Sequence, residues 1–306
     1  MNLSLLLLNQ LIVMICFSLI GFILARKKIV TMNGCKELVN LLLLVVIPFV
    51  VINSFLVEKS AEKSKNLIIS LILTAIAFAI AILVSYCIYG TKKGIESFSS
   101  AFSNAGFIGI PLVQATLGDS MVFYIAGFVA FLNILQWIYG SYVITGDKRN
   151  ISFRAISKNV VLISFILGIL FYFLEFNNLP YIKSISQSIA VMNSPLAMII
   201  IGIYMSEISL RSMVKRKSSY ICSLVRLLLI PLITIIIFVF LPFGDSEIKL
   251  AIIIVASAPV GANVAMFAQK FNKDYTLAVE IIILSTFICL VTIPALIYIT
   301  QLFGMS

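Results

Sequence analysis

The sequence predicts an all-α polytopic membrane protein, and three observations predict it. Of the 306 residues, 61% are hydrophobic and only 11% are charged, against about a quarter charged in ordinary soluble domains. The mean hydropathy is +1.15. The apolar residues gather in ten runs, at 3–25, 37–57, 66–89, 95–118, 120–144, 156–175, 184–206, 218–241, 247–269 and 275–301, each near the roughly 20 residues that a helix needs to cross a bilayer core. Barrel strands would be about ten residues long and alternate in polarity, so the runs read as helices.

The first run, from Leu3 to Ala25, ends in Arg26-Lys27-Lys28, has no positive leading segment and lacks a small-residue cleavage site. It therefore reads as a first transmembrane helix and not as a signal peptide. Runs two and seven carry Pro48 and Pro195, and run three is uninterrupted. Run four replaces the expected Leu and Ile with Ser97, Ser99, Ser100, Ser103, Asn104, Gly106 and Gly109 ahead of Pro111, so it cannot face lipid all round. Because proline lacks an N–H and clashes with the preceding turn, the helix is expected to break at Gly109–Pro111, with Pro111 starting the next half-helix. Run nine repeats the plan in Ser257-Ala258-Pro259-Val260-Gly261-Ala262-Asn263, with its break expected at the same relative place.

Run five holds Asn133 and Gln136, near one turn apart, either lining a cavity or bonding a neighbouring helix. Run eight holds Arg226 about 12 Å from its basic end at 1.5 Å per residue. The expectation is that Arg226 snorkels to the interface, the alternative being an electrostatic role near a substrate path. Glu96, Glu207 and Glu280 lie near span ends and are expected to be solvated, although each is able to carry a proton.

Charge sets the orientation. Sixteen of the 22 Lys and Arg residues fall in loops after odd-numbered runs, in the groups 26–36, 92–93, 148–158, 211–217 and 270–273, while five fall in loops after even-numbered runs. The positive-inside bias places the odd loops in the cytoplasm and both termini outside the cell membrane. The net charge of +10 thus points to an anionic lipid surface and not to nucleic acid.

The prolines suggest an internal repeat. Pro48 and Pro195 are 147 residues apart, and Pro111 and Pro259 are 148 apart, as expected for halves at 1–145 and 146–306. Chance spacing among eight prolines is the competing reading. Five spans per half force opposite orientations, which is the inverted-repeat plan of secondary transporters. A half-helix that begins in mid-membrane turns unpaired N–H groups and part of a positive charge inward, where they attract anions. Asn104 and Asn263 are expected beside that crossing. They either meet the ligand or satisfy backbone groups freed by the breaks.

Enzyme classes weaken on composition. Histidine is absent, which removes imidazole catalysis and the commonest metal ligand. Cys16, Cys35, Cys87, Cys222 and Cys289 form no CxxC pair and read as small hydrophobes. The Gly-Asp pairs at 118–119, 146–147 and 244–245 lie in loops or at span ends, and no P-loop lysine motif is present. No cofactor or metal is expected, and transport must run on a gradient or down the substrate's own.

Several stretches resemble the auxin efflux carrier family, which includes the plant PIN proteins and bacterial permeases for small dicarboxylates. They are Ser103 to Leu112, Ser194-Pro195-Leu196 through Gly202, Arg226 to Pro231, Ala258-Pro259 with Asn263 and Ala268, Leu284-Ser285-Thr286 and Ile293-Pro294. The resemblance implies ten helices in two inverted five-helix repeats, similar in plan to bile-acid/sodium symporters. In that plan spans one, two, six and seven form a scaffold, and helices four and nine cross in a moving transport domain. It makes Pro111 and Pro259 the crossover prolines and Asn104 and Asn263 the associated polar side chains, and Asn104, Gly109, Pro111, Pro259, Gly261 and Asn263 are the expected substrate-binding positions. Ser103, Asn133, Gln136, Arg226 and Ser257 are the expected pathway or coupling residues. The short loop from Gly146 to Ser157 departs from the long plant members. The leading expectation is a carrier for a small organic anion. A sodium-coupled symporter for a larger amphipathic acid and a non-transporting membrane sensor are the alternatives, and a homodimer stays open.

Overall fold

The computed structural model describes residues 3–178, 180–206 and 216–305. Glu207, Arg211 and Lys215 lie outside them. The chain forms α1 (Leu3–Arg26), α2 (Met32–Phe55), α3 (Ala61–Tyr89), α4a (Gly94–Ala101), α4b (Ala105–Leu117), α5 (Asp119–Thr145), α6 (Val160–Phe173), α7 (Pro180–Ser206), α8 (Lys217–Phe240), α9a (Ser246–Ser257), α9b (Asn263–Lys270) and α10 (Tyr275–Leu302). Seven of these are long and apolar enough to cross a membrane alone, and α6 joins Lys148–Ser157 in a pair bent by 45°. The bend falls where Asn159 caps α6, its Oδ1 accepting from Leu162 N at 3.1 Å. The molecule is an all-α polytopic membrane protein, whose large apolar side chains such as Leu5, Ile12, Leu19, Ile68 and Leu83 stay exposed on the outer face, where lipid is the solvent.

Local chemistry fixes the ends. Thr31, Ser60 and Asp274 accept from Gly34 N, Lys63 N and Leu277 N, each satisfying one orphan donor of a helix start. Contacts between loops sort by parity. Arg216 reaches Asp274 at 2.7 Å at the odd-loop end, whereas Asn66 donates to Asp245 at 2.7 Å and Tyr172 to the Ser60 carbonyl at 3.2 Å at the other.

α1 packs on α7 with backbones almost touching: a Cβ on Gly202 would collide with the Ser18 carbonyl, and one on Gly21 with that of Ile199. Small residues are what permit such approach between membrane helices. α2 packs on α6 and α7, while α3 packs on α4a, α5 and α9a, and α10 on α8.

Pro111 acts differently from the expectation, and Pro48 and Pro231 share its geometry. Pro48, Pro111 and Pro231 each sit two residues after a π-helical turn, at Leu42–Val46, Ala105–Gly109 and Val225–Leu229. In each, the residue before the proline donates to a carbonyl five residues back, as Ile110 N does to Ala105 O. Widening the turn by one residue makes room for the ring and absorbs the missing N–H, so the helix continues. Run four therefore does not break at Gly109–Pro111; its break lies at Phe102–Asn104, and Pro111 is buried inside α4b. In run nine the break does include Pro259. The 148-residue spacing of Pro111 and Pro259 thus links positions that are not equivalent relative to their breaks.

Candidate functional site at the crossing of the two broken helices

The two breaks cross as extended strand-like stretches. Ser103 and Val260 form an isolated antiparallel bridge, in which Asn104 N donates to Pro259 O at 2.7 Å and Gly261 N to Phe102 O at 3.0 Å. Gly261 suits this approach, since a Cβ there would lie only 3.0 Å from the Ser103 carbonyl. Val260 N donates to Ser285 Oγ at 3.1 Å, so α10 holds the crossing from behind.

Four half-helix ends meet here. α4b and α9b begin beside a cavity of about 400 Å3, counting its open mouth, lined by Ser103, Asn104, Gly106, Gln136, Gly261 and Asn263 among others. By position, the first N–H groups of each half-helix have no carbonyl in their own helix. Leu43, Ile47, Phe107, Leu132 and Val161 form the apolar wall, and none of the lining residues is charged. Asn104 is 5% exposed and its Nδ2 has no hydrogen-bond partner. Asn263 instead donates to Gln136 Oε1 at 2.8 Å, leaving Gln136 Nε2 without a partner. Asn133 lines the same space but bonds the Val129 carbonyl and accepts from Asn159.

Other candidates fall elsewhere. Gly109, Pro111, Pro259, Ser257 and Arg226 do not line this cavity. Gly109 packs against Val255, where a Cβ would stand 3.2 Å from its Cα, and Ser257 is buried with its hydroxyl unpartnered. Arg226 does not snorkel: it is 1% exposed. Its Nε donates to Ala258 O at 3.2 Å, Nη1 to Ser100 O at 3.1 Å and Ala101 O at 3.3 Å, and Nη2 to Ala256 O. It thus gathers the C-terminal ends of α4a and α9a. Glu96 and Glu280 are also buried rather than solvated, at 7% and 1% exposure; Glu96 accepts from Ser218 Oγ at 2.6 Å and Glu280 lies 3.5 Å from Arg216 Nε.

Neither asparagine side chain bonds a freed backbone group among the described residues. Arg226, Ser285 and Asn193, whose Nδ2 donates to Gly106 O at 3.0 Å, do that work. Sequence reading missed Ser285 and Asn193 in this role, although each adjoins a motif that drew notice, Leu284-Ser285-Thr286 and Ser194-Pro195.

A wider cleft shares Leu43, Phe107, Ala262 and Asn263 with the cavity and extends past Asn40 and Tyr204 to Lys36 and Met32. The crossing is therefore continuous with the odd-loop end. A pocket lined by Gln114, Asp119 and Lys183 at the other end shares no lining residue with it.

Fold and site together define a polytopic helical membrane protein with two interrupted helices crossing at a polar, uncharged cavity. The model of the membrane transport protein family matches residues 6–159 and 150–297, and the chain belongs to that family, a family of transporters that includes auxin efflux carrier-like proteins. No curated protein matches the chain closely enough to count as a relative.

Proposed function

We propose that this membrane transporter is a secondary carrier that moves a small organic anion, a carboxylate, by alternating access, with the anion held at the crossing. One observation carries the reading: two half-helices start at one cavity that has no acidic lining, and Asn104 in its wall holds a buried amide donor without a partner. Each N-terminus is equivalent to roughly half a positive charge, so the pair matches one carboxylate. The resemblance to auxin efflux carriers of the permease type supports the same class of cargo.

On this reading α1 to α5 and α6 to α10 are inverted repeats. α1, α2, α6 and α7 form the scaffold, and the crossing helices travel with α3, α5, α8 and α10. The loops after odd spans face the cytoplasm of the cell, both termini lie outside, and the cleft past Lys36 is a cytoplasmic entrance.

The test is counterflow in proteoliposomes holding only the purified full-length protein, with labelled malonate, malate or indole-3-acetate. Exchange of a small dicarboxylate is expected. Binding of one of these acids without counterflow would instead favour a membrane sensor.

A further inference from the structure

Arg226 presents a problem of charge. A guanidinium taken out of water normally needs a carboxylate partner, and among the described residues no acidic side chain forms an ion pair with it. Its partners are four main-chain carbonyls, two from the end of α4a and two from the end of α9a. Each helix C-terminus is equivalent to about half a negative charge, so two together balance one cation. In carriers built on interrupted helices, half-helix C-terminal ends and unwound carbonyls are where a coupling sodium ion is held.

We infer that Arg226 is a tethered cation filling the place of a coupling metal ion, so that this carrier holds its crossing together without sodium. The π turn at Val225–Leu229 is what aims it: Ile230 N bonds Val225 O, and the ring of Pro231 keeps the turn wide. With five donors in a planar fork, arginine reaches carbonyls of two helices at once, which a lysine ammonium does less well. Arg226 is thereby a positioning residue. By fixing α4a and α9a it fixes where α4b and α9b begin, and so the donors that face the cavity on the opposite side of the crossing. The inference rests on the carrier reading only for its transport arm.

The experiment uses the purified full-length protein. Wild-type melting temperature is measured in sodium, potassium and choline chloride at equal ionic strength, and no cation-specific difference is expected. A saturable rise specific to sodium overturns the inference. Arg226→Gly should melt lower and be raised saturably by millimolar methylguanidinium, which leaves wild type unmoved, with Arg226→Lys in between. Malonate counterflow, lost in Arg226→Gly, should return with methylguanidinium. A variant that melts and exchanges like wild type overturns the inference, as does a loss that neither methylguanidinium nor Arg226→Lys recovers. If Arg226→Gly fails to fold, the wild-type salt comparison and Arg226→Lys decide. If wild type exchanges no malonate the carrier reading suffers, while the melting comparison still decides this one.

Discussion

Replacing Asn104 by alanine separates binding from folding, because its Nδ2 is buried without a partner. No hydrogen bond is lost from the empty protein, and an orphaned buried donor, which costs about 1–3 kcal/mol, is removed. Asn104→Ala should therefore melt at or above the wild-type temperature. With a carboxylate bound, the same donor makes a hydrogen bond to a charged group worth about 1.5–3 kcal/mol, so the Kd for malonate should rise about 10- to 150-fold at 1.4 kcal/mol per decade. Asn104→Asp goes further. Its carboxylate is drawn to the same two helix N-termini and repels the ligand by about 4 kcal/mol at 4 Å and an effective dielectric of 20. It should bind malonate worst and yet melt higher than the alanine variant. Titration calorimetry and differential scanning fluorimetry on both variants make the check. A lower melting temperature with unchanged affinity in Asn104→Ala would refute the reasoning.

Asn263 behaves differently because its amide already bonds Gln136: Asn263→Ala should lower stability by about 1 kcal/mol, and the cycle with Gln136→Ala should be non-additive in melting temperature. Pro259→Ala should reduce counterflow more than Pro111→Ala, since Pro259 lies in a break and Pro111 inside α4b; equal losses would contradict that placement. Gly202→Ala drives a Cβ into the Ser18 carbonyl and should cost about 1–3 kcal/mol as overpacking does, read as lost folded yield and melting temperature. A cytoplasm-active reporter fused after Ser306 should stay silent, and a bright one would reverse the orientation.

Hydropathy and charge are local, additive properties, so the sequence alone determined that this is a polytopic helical membrane protein and where its apolar runs lie. It also singled out runs four and nine, because small and polar residues in a span have no lipid-facing explanation. It placed Asn104 and Asn263 near one another through the crossing. What it misjudged were the consequences of proline. A helix can break at a proline or widen into a π turn to house it, and in the structure Pro111 follows a π turn whereas Pro259 lies in a break. Arg226 was equally undecidable from its position in run eight, because snorkelling and burial differ only in whether other helices offer carbonyls to meet the guanidinium. Those carbonyls come from residues 100, 101, 256 and 258, over 150 positions apart in the chain. Only the tertiary crossing of α4a and α9a brings them to one point, where two helix ends supply the counter-charge that no single stretch of sequence contains.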